Sequence, residues 1–238
     1  MKEEGYIKTL GLPELVSLGV GGTIGSGIFV VPGLAAGILG PYSLLAWIIV
    51  ALSASCVLLS LTWLLQKNGF RDSFFTLFSD VFGERIGTAL ILLYLSSGIL
   101  GIGTISAGIG QYLSFFGIED ILLIELFIIA LFCGMNLIGI TLSGMTENLL
   151  TALKVIPLVV IALLLLPSVE LEDLTPLVPL TATGLVTTVL IVYWPFTGFE
   201  ISTIPVDEMK NPRIVPYALA IVMLVVSAVY LLLNIALI

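Results

Sequence analysis

Apolar residues in this chain come in long unbroken runs, not in the two or three of every seven positions that mark an amphipathic helix. Seven such windows stand out, at residues 15–39, 42–65, 86–116, 126–146, 149–169, 174–199 and 214–238. Each reaches the roughly 20 residues needed to cross a hydrocarbon core of about 30 Å. Six carry no charge, and 149–169 carries only Lys154. Without water to satisfy their backbones, such segments must be helical. The pattern predicts an all-α polytopic membrane protein, one transmembrane domain over 1–238 with helices at 15–39, 42–65, 86–116, 126–146, 149–169, 181–204 and 214–238.

The connections add detail. Windows one and two are joined by the short "GILGPYS", whereas "QKNGFRDSFFTLFSDVFGER" separates two from three. In that stretch, with Phe70 ahead of them, Phe74, Phe75, Phe78 and Phe82 fall on one helical face, so a short helix in the membrane interface is expected beside the plainer reading of a loop. The third window, 31 residues, makes about 46 Å of helix at 1.5 Å per residue, longer than the hydrocarbon core. Its Gly103, Ala107 and Gly110 share a face that lets a neighbouring helix approach closely.

Charge orients the segments. With alternate crossings, Lys2, Lys8, Lys67, Arg71, Arg85, Lys210 and Arg213 all fall on one side and no Lys or Arg on the other. By the positive-inside rule the N-terminus is cytoplasmic, in a multi-pass protein of the plasma membrane. The first window reads as a retained helix and not a cleaved leader, since it is longer than a signal core and "MKEEGYIK" mixes both signs. Only 10% of residues are charged and the net charge is −8, with no basic patch for a nucleic acid. The chain has no histidine, and Cys56 and Cys133 sit inside windows as small apolar residues. No metal, cofactor or catalytic constellation is expected, and the chain does not read as an enzyme.

Two windows are interrupted. "GVGGTIGSGIFVVPG" opens the first, with Gly21/Gly25 and Gly33/Gly37 as GxxxG pairs; that stretch alone fits close helix packing as well as a broken helix. It lacks the spacing, preceding strand and downstream acid of a dinucleotide fingerprint. The sixth carries "VYWPFTGFEIST", where Pro195 removes a backbone donor, Gly198 permits unusual dihedrals and Glu200 puts a carboxylate at membrane depth. Breaks in helices one and six stand where two inverted five-helix repeats each begin, and paired breaks point to a transporter's binding site. A break frees amides at the start of one half and carbonyls at the end of the other. Amides near Ser26, Gly27 and Ile28, with Gly25 giving access, suit a carboxylate; carbonyls near Thr23 and Ile24, and from Trp194 to Phe196 and Thr197 before Gly198, suit an ammonium.

Taken in order, "GGTIGSGIFVVPG", "GPYSLLAWII", "PFTGFE" and "DEMKNPRIVPYAL" resemble the signatures of amino acid–polyamine–organocation transporters across nearly the whole chain. The resemblance implies a leucine-transporter-type inverted-repeat fold, with the first five-helix repeat plus helices 6 and 7 of the second. It implies transport of amino acids by alternating access, with carboxylate contact at Gly25, Ser26 and Gly27. Trp194 or Phe196 is then the aromatic that closes over substrate, and Glu200 a structural or gating carboxylate. Lys154 reads two ways from the residues alone, snorkelling to the interface or facing the site. In proton-coupled members a lysine at the matching place of helix five replaces a bound cation, which favours proton-coupled or sodium-independent transport over sodium symport.

Members of that family have ten to twelve helices, so the expectation is of the N-terminal part of an amino acid permease, apparently truncated after the seventh helix. The alternative is a non-transporting relic, or a partner subunit of a larger complex in which a second polypeptide supplies the missing helices. A seven-helix receptor is disfavoured by the cytoplasmic N-terminus. The expected partners are the lipid bilayer and an amino acid, with a neutral one favoured because only Lys154 and Glu200 bring charge near the breaks.

Overall fold

The computed structural model describes residues 10–67, 74–118, 120–138, 140–170, 175, 179–203 and 209–238. Lys2, Lys8, Phe70, Arg71 and the acids Glu172, Asp173, Asp207 and Glu208 lie outside them. The helices are α1 Leu12–Thr23, α2 Gly27–Leu39, α3 Ser43–Lys67, α4 Phe74–Phe82, α5 Glu84–Ser114, α6 Ile121–Ile138, α7 Ile140–Leu165, α8 Ala182–Phe196 and α9 Val215–Leu237. Among the described residues there is no strand, only an isolated parallel bridge between Leu10 and Met209. The protein is an all-α polytopic membrane protein. Five described stretches are long and apolar enough to span, at Gly27–Lys67, Glu84–Ser114, Asn148–Ser168, Ala182–Ser202 and Val215–Leu237.

The chain divides into two compact units, one of Met1–Arg71 with Glu147–Ile238, the other of Asp72–Thr146. In the smaller unit, α4 covers the expected phenylalanine stretch. Gly83, at φ 81°, supplies the left-handed turn between α4 and α5. Gly87 brings α5 so near α4 that a Cβ there would lie 2.6 Å from Ser79 Cα. Farther along α5, a Cβ on Gly110 would lie 2.6 Å from Glu125 Oε1 of α6, whereas at Gly103 it would meet open space among the described residues. The small-residue face is thus used at one end.

α6 is described to Ile138 and α7 runs from Ile140 through Glu147 and Asn148, residue 139 lying outside the described residues. Glu147 and Asn148 interrupt the apolar run, but a polar residue ends a hydropathy window without ending a helix, whose backbone bonds ignore side-chain polarity. Cys56 and Cys133 are exposed on helix surfaces instead of packed.

In the larger unit α9 is central. Ala218, Leu219, Val222, Val226 and Tyr230 are fully buried, and recur at helical spacing. α1 and α3 pack on α9, and α8 packs on α2 and α3. α1 starts at Leu12 with Pro13 in its first turn, and the Glu14 carboxylate accepts from the Gly11 amide at 2.9 Å. α8 starts where Thr181 accepts from the Gly184 amide at 3.1 Å, a cap that sets the start within the apolar window 174–199. α1 and α9 approach through Gly19, where a Cβ would stand 2.6 Å from Val222 Cγ2.

Gly19→Val should therefore lower stability by about 1–3 kcal/mol through overpacking. Gly37→Ala, where nothing lies within 4 Å, should leave it unchanged or slightly raised. Thermal unfolding of both variants in detergent checks the contrast.

Candidate functional site

Helix one is cut in two. Thr23 ends α1, Ile24 turns away at φ −75°, ψ 87°, and α2 resumes at Gly27. The first bond of the second half runs from the Phe29 amide to Ser26 O at 3.1 Å, so the Gly27 and Ile28 amides precede it.

The carbonyls freed at the end of α1 are almost all taken. Val20 O accepts from the Ile24 amide at 2.8 Å. Gly21 O accepts from Lys154 Nζ at 2.7 Å, so the half-buried Lys154 reaches across to α1 and does not extend along its own helix. Thr23 O accepts from the Gly25 amide at 2.9 Å and lies 3.0 Å from the Tyr230 hydroxyl. Gly22 O abuts Gly198 of the other break, where a Cβ would come within 2.8 Å of the Gly22 carbonyl carbon.

Helix six breaks as the sequence pattern predicts. α8 ends at Phe196, Thr197 is extended, and Gly198 adopts φ 109° before a 3₁₀ turn over Phe199–Thr203. Trp194 O accepts from both the Thr197 amide, at 3.1 Å, and the Thr197 hydroxyl, at 2.7 Å. The Gly198 amide donates to Glu200 Oε2 at 3.0 Å, so Glu200 closes the break locally. Ser202 then donates to Leu15 O at 3.1 Å, tying the turn to α1.

The two breaks meet. A Cβ on Gly27 would stand 3.1 Å from Pro195 Cγ and 3.3 Å from Pro195 Cα, which places the start of α2 against the end of α8. The Tyr230 hydroxyl lies 2.7 Å from Pro195 O as well as 3.0 Å from Thr23 O, its single proton divided between the last carbonyl of α1 and the next-to-last of α8. Its ring packs edge-on against Phe196 at 5.2 Å and Trp47 at 5.4 Å between centroids.

Of the residues singled out from sequence, Thr23, Gly27, Phe196 and Gly198 converge, and Lys154 and Glu200 each hold one side of a break. Ile24 and Ile28 bury their side chains and offer only backbone. Gly25 faces open space, its Cβ position meeting only Thr23 O at 4.0 Å. Trp194 is 39% exposed, while Phe196 is buried in the aromatic cluster. Sequence reasoning missed Tyr230 and Trp47. The available signal was a tyrosine four residues before an asparagine in an uncharged window, one inward face carrying both. A separate groove of about 500 Å³ lies between α3 and α9, lined by residues such as Leu52, Ser55, Met223 and Ser227 and not by the breaks.

An all-helical membrane protein with two broken helices meeting at their ends has the build of a transporter. The family profile for amino acid permeases matches residues 10–238, and the chain belongs to that family, within the amino acid–polyamine–organocation transporters. Comparison with curated proteins finds no match. Family membership makes the chain an amino acid transport protein, with an amino acid as substrate and the lipid bilayer as its surroundings.

Tyr230→Phe removes the only group shared by both breaks in the described structure while keeping the ring. It should cost about 1–3 kcal/mol, the penalty for leaving the Pro195 carbonyl without the donor it has from Tyr230. The measurement is thermal unfolding of purified protein against wild type, and an unchanged midpoint would show that the bridge carries no stability.

Proposed function

We propose that this chain moves an amino acid across the plasma membrane by alternating access, with the substrate held at the meeting point of helices one and six. The observation that carries the reading is the contact of Gly27 with Pro195, which sets freed amides beside freed carbonyls. The Gly27 and Ile28 amides, at the positive end of α2, receive the carboxylate. Thr23 and Pro195 carbonyls already accept from Tyr230, which leaves Ile24 O and Phe196 O to receive the ammonium; among the described residues no hydrogen bond occupies either. Ser26 lines the approach, and Phe196, not the exposed Trp194, is the aromatic at the site.

The same reading places seven crossings with a cytoplasmic N-terminus, in a leucine-transporter-type repeat arrangement. Lys154 supplies the coupling group. Its ammonium holds Gly21 O, a carbonyl that a bound cation would otherwise coordinate, so transport is sodium-independent or proton-coupled and a neutral substrate is favoured.

Uptake of a labelled neutral amino acid into proteoliposomes tests this. Gly27→Leu should abolish uptake while leaving membrane insertion intact, because its side chain would occupy the space against Pro195. Replacing sodium with choline should leave uptake unchanged, and Lys154→Ala should reduce it at least about tenfold, the loss expected when a charged hydrogen bond is removed. Sodium-stimulated uptake with Lys154→Ala indifferent would overturn the coupling assignment.

A further inference from the structure

Trp47, near the start of α3, packs on Tyr230, near the end of α9. From that contact a groove runs along both helices, walled by Ile48 to Leu59 on one side and Leu231 to Ala220 on the other, so α3 and α9 are antiparallel. Each wall is about 16 Å long at 1.5 Å per residue, about half of a hydrocarbon core of roughly 30 Å. The lining is apolar, with Leu52, Leu59 and Leu224 largely exposed beside it. The Ser55 hydroxyl donates to Ala51 O at 2.7 Å, so its proton stays within α3.

Width limits what can lie there. A volume of about 500 Å³ spread over about 16 Å gives a section of about 30 Å². A helix 10–12 Å across takes roughly 80 Å² or more. The groove therefore suits a single hydrocarbon chain better than another helix.

Beyond Leu59 and Ala220 the chemistry changes on both walls together. Trp63 and Lys67 follow Leu59 at intervals of four, along one helical face. Trp63 is 60% exposed, and the Lys67 ammonium stands 5.1 Å from its ring centroid. On the other wall the exposed Tyr217 comes three residues before Ala220, and the exposed Arg213 lies one turn earlier, in the 3₁₀ turn Pro212–Ile214. Lys67 is eight residues beyond Leu59 and Arg213 seven before Ala220, so both cations mark the same end of the pair. No Asp or Glu occurs on α3, on α9 or at 209–214, and no ion pair engages either cation among the described residues. An apolar furrow one leaflet long, then two aromatics, then two cations is the order of a phospholipid read from tail to headgroup.

We propose that the α3–α9 groove binds one anionic phospholipid. An acyl chain lies in the furrow, the glycerol region rests against Trp63 and Tyr217, and Lys67 and Arg213 hold the phosphate. The site needs the bilayer but not the transport cycle, and the orientation proposed above decides only that the cytoplasmic leaflet supplies the lipid.

Native mass spectrometry of the detergent-purified chain, titrated with palmitoyl-oleoyl phosphatidylglycerol or with phosphatidylcholine of the same chains, tests this. One phosphatidylglycerol should bind more tightly than any phosphatidylcholine. Lys67→Gln with Arg213→Gln should weaken it about 30-fold, about fivefold for each cation, and bring the two lipids level. Each single substitution reads its own fivefold step should the double variant fail to fold. Arg85→Gln, an exposed cation on α5, should change nothing. Ala220→Phe puts a ring into the furrow and should weaken both lipids, since both share the chain.

Phosphatidylglycerol binding that ignores the paired substitution or Ala220→Phe would overturn the site. An equal loss with Arg85→Gln would also overturn it, as the mark of diffuse attraction to any basic surface. Chains found in pairs that Ala220→Phe separates would overturn it in favour of a second copy in the groove. Uptake is not read in this experiment, so none of these results bears on the transport reading.

Discussion

Everything in the larger unit turns on satisfying the backbone where two helices stop inside an apolar environment. A buried carbonyl without a donor costs about 1–3 kcal/mol, and no water is at hand in a bilayer core to supply one. The Tyr230 hydroxyl, from a third helix, shares its one proton between Pro195 O and Thr23 O, and the Gly25 amide also donates to Thr23 O. Lys154 donates to Gly21 O from a fourth. The breaks are therefore tertiary features. They persist because α7 and α9 deliver donors to them, and α9 in turn is fixed by the packing of α1 and α3 along its buried face.

Close approach is the second requirement, and it explains where glycine is indispensable. At Gly198 the φ of 109° and the Gly22 carbonyl next to Cα independently exclude a side chain. At Gly19 the constraint is space alone, between Val222 and Ser202. By contrast Gly33 and Gly37, an equally good GxxxG pair on paper, face nothing within 4 Å. The motif in the first window thus serves two ends: its first half packs, and its middle breaks.

These examples show what was readable from sequence and what was not. Both breaks were legible because glycine and proline act through local backbone physics, which needs no knowledge of neighbours: residues 24–26 and 197–198 leave the helix where composition said they would. The ends of α3, α5 and α9 were legible to within a few residues for the same reason, since charge and helix breakers bound their apolar runs. Facing was not. A helix apolar on all sides has no polar stripe to mark its outer surface. Trp194 and Phe196, two positions apart, looked equivalent, yet one is exposed and the other buried. Tyr230 was hidden in the same way, because its partners are backbone carbonyls far away in sequence and carry no residue-type signature.

The caps on α1 differ in kind, and the difference bears on the proposed cycle. A phenol is uncharged near neutral pH and has one proton to share, so Tyr230 fixes the relative position of the two breaks without adding charge. An ammonium brings a full positive charge to Gly21 O, three residues before the break, where the negative end of the α1 dipole already favours it. Tyr230 thus ties the tip of α1 to helix six, whereas Lys154 ties it to α7, so this end of α1 is anchored on both sides of the proposed site.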